Sequence, residues 1–110
     1  MLLLVDLDGV VYRGRTPVPG VAQLLADRAA RGDVVVYVTN NAVRHREDYV
    51  ERLAGMGAPV SVDRIVTSAR AAARYLAERR PQVGRVLALG GRGLMRELRE
   101  AGLAVLDAGL

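Results

Sequence analysis

The sequence predicts an α/β fold with a Rossmann-like parallel sheet, and two observations lead to this prediction. Short continuous runs of aliphatic residues recur along the chain, as in "LLLV", "VVVYV" and "RVLALG", and such runs are typical of strands that are buried on both faces. Between these runs lie longer segments whose apolar residues are three and four positions apart, which is the spacing of helices. Because strands that alternate with helices build right-handed βαβ units, the strands are expected to be parallel.

The elements follow from this pattern in chain order. The first strand covers Leu2 to Val5, and the Gly- and Pro-rich stretch "YRGRTPVPG" after it predicts a loop. "VVVYV" and "RVLALG" predict two further strands, "APVSVDRIVTS" a turn with an extended piece, and "LAVLD" the start of one more strand. Ser68 is the predicted N-cap of the third helix. The predicted helices are "GVAQLLADRAARG", "REDYVERLAGMG", "ARAAARYLAERR" and "GRGLMRELREAG".

Composition and charge exclude several classes of protein. The chain has 110 residues, 51% of them hydrophobic, a net charge of +4 and no cysteine, so disulfides and thiolate metal sites are excluded. The opening run "MLLLV" is too short to span a membrane and lacks the features of a signal peptide. We therefore expect a soluble, cytoplasmic protein without a membrane partner.

The basic residues, all of them arginine, do not indicate a nucleic-acid partner. They are scattered among acidic residues, as in "RHREDYVER" and "LMRELRE", and no nucleic-acid-binding motif accompanies them. Neighbouring opposite charges predict a solvated helix face that consists of Arg96, Glu97, Arg99 and Glu100. His45, the only histidine, lies among charges at a helix start with Arg44 and Arg46, and all three are predicted to be surface residues.

Two aspartates at the end of the first strand carry the main chemical signal. In an extended segment residues i and i+2 point to the same side, so Asp6 and Asp8 are expected to face one pocket while Leu7 turns into the core. Gly9 then allows a sharp turn. Two carboxylates this close need a cation between them, or one of them keeps its proton. Magnesium, which prefers oxygen ligands, suits such a pair, and both arrangements serve phosphoryl transfer.

The second strand ends in polar residues that suit anion binding. Thr39 offers a hydroxyl group, and Asn40 and Asn41 offer amide donors. Ligands of parallel α/β sheets bind beyond the carboxyl ends of the strands, where these residues and the two aspartates are expected. Thr39, Asn40 and Asn41 are therefore predicted to bind a substrate phosphate, with a helix cap and a turn as the simpler alternative.

These segments resemble the haloacid dehalogenase superfamily. "LLLVDLDGVVYRG" is similar to its first motif and "VVVYVTNN" to its second, while "PVPGVAQLLADRAARG" and "EDYVERLAGMG" resemble subclass IIA, which includes 4-nitrophenylphosphatase-like and phosphoglycolate phosphatases. The resemblance implies a magnesium-dependent hydrolase of small phosphate monoesters of the sugar, nucleotide or glycolate type. It also implies a small phosphorylated metabolite as partner and allows a homodimer through a cap domain.

The same resemblance implies roles for individual residues. Asp6 would be the nucleophile and a magnesium ligand, and Asp8 the general acid/base with its carbonyl on the metal. Thr39 would bind the transferring phosphoryl group and Asn40 would orient the nucleophile loop or the substrate. Gly9 would provide the backbone turn in the phosphate-binding region. The segment from Tyr12 to Arg15 would form a short flap.

The resemblance also predicts how the chain is organised. Residues 1–82 correspond to the N-terminal part of the hydrolase core, and residues 83–110 resemble the beginning of an α/β cap domain. The family's third motif needs a lysine, which this sequence lacks, so we expect the chain to be the N-terminal portion of a longer protein. Arg92 stands where relatives often carry an acidic residue.

Two other functions remain open from the residues alone. The same fold could serve as a phospho-acceptor or ligand-binding regulatory module that is phosphorylated without hydrolysis, or as a cap-mediated dimer with a structural role. The segment "GGRG" at residues 90–93 lacks the spacing of a nucleotide-binding loop and is interpreted as a cap turn.

Overall fold

The computed structural model describes residues 1–107, in which strands and helices alternate as the sequence predicts. The last three residues of the predicted cap segment lie outside the described residues. The strands are β1 (Leu2–Asp6), β2 (Tyr12–Arg13), β3 (Thr16–Pro17), β4 (Val34–Thr39), β5 (Ile65–Thr67), β6 (Arg85–Ala88) and β7 (Ala104–Asp107). The helices are α1 (Val21–Ala30), α2 (Arg46–Gly55), α3 (Ser68–Arg79) and α4 (Arg92–Glu100), with a 3₁₀ turn at Val62–Arg64.

The chain forms two compact units, each with its own apolar core. The first unit comprises residues 1–39 and 46–66, and the second comprises residues 40–45 with residues 67–110. The division does not follow chain order, because the loop of residues 40–45 belongs to the second unit while both of its flanking segments belong to the first. The predicted boundary near residue 83 between a core and a cap stays a prediction.

The first unit is built around a sheet with the strand order β1-β4-β5. β1 and β4 pair in parallel, with a register that runs from Leu2 opposite Val34 to Asp6 opposite Val38. Both strands therefore end at the same edge of the sheet, which places Asp6 and Thr39 at that edge. The buried cluster under the sheet includes side chains from both strands and both helices, among them Leu25, Tyr37 and Leu53.

One face of β1 is exposed, which contradicts the prediction of a strand buried on both faces. Leu2 and Leu4 are 58% and 67% exposed, whereas Val5 is buried in the core cluster. The aliphatic run satisfies the pattern of a doubly covered strand, but the described residues cover only one face fully. Aliphatic composition thus identified the strand correctly and its environment incorrectly.

The predicted loop "YRGRTPVPG" contains a small hairpin. β2 and β3 pair antiparallel, with Tyr12 opposite Pro17 and Arg13 opposite Thr16. Gly14, with φ +60°, lies in the turn between them. Pro17 occupies a two-stranded edge, where proline's missing N–H group is tolerated, so the Gly- and Pro-rich composition concealed the pairing.

The second unit pairs β6 and β7 in parallel, with α4 as the crossover helix. Its apolar cluster is formed by Ala73, Ala88, Met95, Leu98 and Leu103. Thr67, and not the predicted Ser68, is the N-cap of α3, because the Thr67 hydroxyl accepts a hydrogen bond from the Arg70 amide at 3.0 Å.

Within residues 1–107, every helix is too short or too polar to cross a bilayer.

Candidate functional site

The end of β1 and the turn after it present two carboxylates. Asp6 and Asp8 are both exposed, while Leu7 between them is fully buried in the core cluster. This alternation is the one predicted for an extended segment that points residues i and i+2 to one side. The apolar side chain therefore anchors the segment and leaves both acids accessible to a ligand.

The backbone of this turn is held by its own hydrogen bonds. The Gly9 amide donates to the Tyr12 carbonyl at 2.8 Å, and the Val11 amide donates to the Leu7 carbonyl at 3.0 Å. Gly9 has φ +83°, a conformation that residues with a Cβ rarely adopt, although a Cβ at this position would meet no atom within 4 Å. Gly9 is thus needed for its backbone conformation and not for space.

Asp6 is oriented by a main-chain donor. The Leu7 amide donates to Asp6 Oδ1 at 2.9 Å, which fixes one carboxylate oxygen against the backbone. The other oxygen, Oδ2, is then the atom that Asp6 directs away from this contact. A carboxylate with one fixed and one outward oxygen is suited to both metal ligation and nucleophilic attack.

Thr39 ends β4 at the same edge of the first sheet. Since Val38 is the register partner of Asp6, Thr39 lies one residue beyond that pair. Its side chain is buried, in contrast to the exposed aspartates. The strand register of the first unit therefore brings a hydroxyl group and the carboxylate of Asp6 to one edge.

Asn40 and Asn41 belong to the second unit and are held by contacts within it. The Ser68 hydroxyl donates to the Asn40 carbonyl at 2.9 Å, and Asn41 Oδ1 accepts from the Val43 amide at 2.9 Å. The latter contact is an Asx turn, the local alternative considered for this residue from sequence. The phosphate-binding roles of Thr39, Asn40, Asn41 and Gly9 stay predictions, as do the catalytic and metal roles of the aspartates.

The acidic pair is suited to a divalent cation by its donor atoms. Within residues 1–107, neither Asp6 nor Asp8 forms an ion pair with a basic side chain. The carboxyl oxygens of both residues are therefore not occupied by a basic side chain from this part of the chain. Hard oxygen ligands of this kind fit magnesium, so the residues present suit the metal that the resemblance implies.

Three charged or titratable residues that were predicted to be on the surface are buried in the structure. His45, Arg46 and Glu97 are all buried, and Glu97 is completely inaccessible to solvent. His45 Nε2 lies 2.9 Å from Glu97 Oε1 and 3.0 Å from Glu100 Oε2. The prediction of a solvated face on α4 is therefore wrong for Glu97, and the predictions of surface positions for His45 and Arg46 are also wrong.

Sequence reasoning missed this cluster because its members are far apart in the chain. A signal was nevertheless present, since Gly93, Glu97 and Glu100 are spaced i, i+4 and i+7 and share one face of a helix. The three ligand-type atoms of His45, Glu97 and Glu100 lie within 4.8 Å of one another, so this group could also hold a cation. We refer to these three residues as the His45 cluster.

A shallow depression of about 270 Å³ lies at the other end of the first sheet. Its lining includes Asp33, Val34 and Arg64, and Val34 is the first residue of β4. It therefore lies at the amino end of that strand, whereas the aspartates lie at the carboxyl end of β1. Ligands of parallel α/β sheets bind at the carboxyl ends, so this depression is not the predicted site.

Comparison with known proteins supports the assignment suggested by the motifs. The chain is 39% identical over 105 residues to phosphoglycolate phosphatase 2 of Arabidopsis thaliana, a match that covers 94% of this chain and 35% of the relative. A p-nitrophenyl phosphatase from Archaeoglobus fulgidus has a TM-score of 0.86 at 34% identity, over 96% of this chain and 40% of that one. A glycerol phosphate phosphatase from Mycobacterium tuberculosis, solved in complex with magnesium, has a TM-score of 0.78 at 35% identity, over 96% and 31% of the two chains.

These relatives are of the kind that the resemblance to subclass IIA predicts, and the TM-scores confirm the α/β fold with a parallel sheet. The chain spans between about a third and two fifths of the length of these proteins. The model of the family described as haloacid dehalogenase-like hydrolase matches residues 3–104. The chain belongs to the haloacid dehalogenase-like hydrolase family.

Proposed function

We propose that the whole protein carrying this chain is a magnesium-dependent hydrolase of small phosphate monoesters. The observation that carries the proposal is the exposed pair formed by Asp6, the last residue of β1, and Asp8, which has no basic partner among the described residues. Family membership and the phosphatase names of the relatives support it.

The first chemical step is assigned to Asp6. Because Asp6 Oδ1 accepts from the Leu7 amide, we assign the attack on phosphorus to Oδ2. A new P–O bond forms to Asp6 as the bond from phosphorus to the ester oxygen breaks. Asp8 donates a proton to that departing oxygen, so the alcohol leaves neutral and the phosphoryl group remains on Asp6.

The second step returns both residues to their starting states. Asp8, now a carboxylate, takes a proton from water, and the resulting oxygen nucleophile attacks phosphorus. The bond between phosphorus and Asp6 Oδ2 breaks, which releases inorganic phosphate and the Asp6 carboxylate. One carboxyl group thus acts in turn as acid and base beside a second that acts as nucleophile.

Magnesium would be held by the Asp6 carboxylate and by Asp8, and when bound it would offset the repulsion between these acids and the phosphate. The magnesium complex of the Mycobacterium tuberculosis relative supports this choice of metal. The buried hydroxyl of Thr39 is assigned to the transferring phosphoryl group, with Asn40 and Asn41 as further donors and Gly9 as the turn that accommodates the phosphate.

The remaining features of the proposal follow from the resemblance. The partner is a small phosphorylated metabolite of the sugar, nucleotide or glycolate type, and the names of the relatives support small phosphate esters. Assembly as a homodimer through the cap, and a cytoplasmic location, are part of the same proposal.

The test uses the whole protein with 4-nitrophenyl phosphate and magnesium. Asp6→Asn is expected to reduce turnover to the uncatalysed background, because the amide cannot form the phosphoryl ester. The matched control is Asp27→Asn, an exposed acid on α1, which is expected to retain full activity. Full activity of Asp6→Asn would contradict the assignment of the nucleophile. A long-lived phosphoryl-aspartate without turnover in the unmodified protein would favour the phospho-acceptor function instead.

A further inference from the structure

The loop of residues 40–45, which follows Thr39, is held from one side by α4. It carries Asn40 and Asn41 and connects β4 to α2, yet its contacts place it in the second unit. Three separate contacts hold it there, at its start, its middle and its end. The Ser68 hydroxyl binds the Asn40 carbonyl, and the other two contacts are made by α4.

The middle of the loop completes the N-terminus of α4. The N-cap residue of α4, Gly91, provides no side-chain hydrogen bond. The first amides of a helix need partners from outside the helix, and the Gly93 amide donates to the Val43 carbonyl at 2.7 Å. The loop backbone therefore takes the role that a capping side chain would otherwise fill.

This approach requires glycine for reasons of space. A Cβ at Gly93 would lie 2.5 Å from the carbonyl carbon and oxygen of Arg44, and a Cβ at Gly91 would lie 3.1 Å from Val43 Cα. These atoms are backbone atoms, which cannot rotate away as the end of a flexible side chain can. The segment "GGRG", interpreted from sequence as a cap turn, thus provides the space in which the loop backbone packs against α4.

The end of the loop is fixed by the His45 cluster. Glu97 and Glu100 follow Gly93 along the same face of α4, and both carboxylates lie within 3.0 Å of His45 Nε2. Arg96 Nε in turn donates to Glu100 Oε1 at 2.9 Å. Because Glu97 and His45 are almost fully buried, their contact is shielded from water and is stronger than a surface pair.

We propose that α4 positions the 40–45 loop for substrate binding. Gly93 allows the loop backbone to approach α4 closely, and His45 is a positioning residue that is held by Glu97 and Glu100. The proposal deepens the proposed function and rests on it, because Asn40 and Asn41 matter as phosphate donors only in a phosphatase. The backbone contact of Gly93 with Val43 and Arg44, and the contacts of His45 with Glu97 and Glu100, fix the loop at two points close to these asparagines.

The first test removes the space that Gly93 leaves for the loop backbone. In the whole protein, Gly93→Ala is expected to push the loop backbone away and raise KM for 4-nitrophenyl phosphate by about 10-fold, within the cost of misplacing a binding group by about 1 Å. The value of kcat is expected to change little. A contact to phosphate that is lost equally from the ground state and the transition state raises KM and leaves kcat unchanged. Partial unfolding would give the opposite pattern, a lower kcat at unchanged KM.

The matched control is Gly84→Ala. Gly84 also lies in the second unit, but a Cβ there would meet no atom within 4 Å, and its φ is not in the left-handed region. This variant is expected to keep the KM of the unmodified protein. Equal KM values for Gly93→Ala and Gly84→Ala would overturn the proposal.

The second test addresses His45 and applies even if Gly93→Ala fails to fold. His45→Leu removes the donor to both carboxylates and is expected to raise KM, whereas His45→Gln retains an N–H donor at a similar reach and is expected to restore it. An unchanged KM in His45→Leu would overturn the role of His45. A Zn²⁺-dependent rise in melting temperature that His45→Leu abolishes would identify the cluster as a cation site and would also overturn the proposal.

Amide hydrogen exchange separates this proposal from the proposed function. Exchange across residues 40–45 is expected to accelerate in Gly93→Ala and His45→Leu and to stay unchanged in Gly84→Ala, whatever reaction the protein catalyses. If these amides are equally protected in every variant, the positioning by α4 is wrong. If instead Asp6→Asn keeps its activity, the proposed function fails while the exchange data still decide how the loop is held.

Discussion

Two groups of acidic side chains in this chain face opposite electrostatic situations. Asp6, the last residue of β1, and Asp8 are both exposed and have no ion pair with a basic side chain within residues 1–107. Glu97 is completely buried and, with Glu100, contacts His45. Within residues 1–107 the first group therefore has no basic side chain beside it, whereas both carboxyl groups of the second group contact a buried histidine. Acidic composition alone therefore does not distinguish the two groups, whereas the partners of the side chains do.

The pKa of Glu100 illustrates the second situation. Burial raises the pKa of this carboxyl, but the hydrogen bond and positive charge of His45, followed by those of Arg96, outweigh burial and lower the pKa overall. A carboxyl with a lowered pKa in the folded state contributes stability above its ordinary pKa of 4.5, and this contribution is lost as the pH falls through the lowered value. The second group thus serves folding at neutral pH.

The largest expected effect tests the first group. Asp8→Asn in the whole protein is expected to lower kcat for 4-nitrophenyl phosphate by about 10²- to 10⁴-fold, the usual contribution of a general acid and base. Its melting temperature is expected to stay the same or rise slightly, because one of two neighbouring like charges is removed. Steady-state kinetics and thermal unfolding measure the two quantities. A clear loss of stability together with retained activity would place Asp8 in a structural role.

For the second group we expect a smaller effect, and we expect it on the stability of the fold and not on kcat. Glu97→Gln is expected to lower the free energy of unfolding by about 2 kcal/mol, because a buried charge-assisted hydrogen bond is replaced by a neutral one while His45 keeps its contact with Glu100. The matched control is Glu78→Gln, which removes an exposed partner of Arg74 at 2.9 Å and is expected to cost under about 0.5 kcal/mol. Urea denaturation followed by circular dichroism distinguishes them. Equal costs would show that burial of Glu97 adds nothing to its pairing.

The sequence was sufficient to predict the first group because its signal is local. The alternation of Asp6, Leu7 and Asp8 follows from the geometry of a strand, and the exposure of the acids around a buried leucine agrees with it. The strands and helices were likewise predicted from short-range apolar spacing. The parallel pairing of β1 with β4 follows from their alternation with helices.

The second group was missed because the shared helix face of Glu97 and Glu100 does not reveal their partner, which is distant in the chain. His45 and Glu97 are 52 positions apart by their residue numbers, and a charged residue beside other charges normally indicates a solvated surface. In the fold, α4 and the loop of residues 40–45 bring the two side chains together in a buried contact. The exposed Leu2 and Leu4 teach the converse lesson, since an aliphatic side chain is buried only where another element covers it.

The smallest effect expected at a buried side chain concerns a polar group that has a partner and carries no charge at neutral pH. The Tyr37 hydroxyl in β4 donates to the Pro59 carbonyl at 2.9 Å, and burial raises the pKa of Tyr37 to about 12. Tyr37→Phe is expected to lower the free energy of unfolding by about 1 kcal/mol at pH 7, the usual net value of one hydrogen bond. This value lies between those of the buried and the exposed ion pair.

The pH dependence of this cost has a definite sign. Between the ordinary pKa of 10.0 and the folded value of about 12, the unfolded chain releases the Tyr37 proton while the folded chain keeps it. The unfolded state therefore gains stability as the pH rises, and the advantage of tyrosine over phenylalanine shrinks. Urea midpoints of both proteins at pH 8, 9, 10 and 11 measure this convergence. A difference that stays constant up to pH 11 would mean that Tyr37 titrates normally in the fold, and burial without charge would then carry no electrostatic penalty at this position.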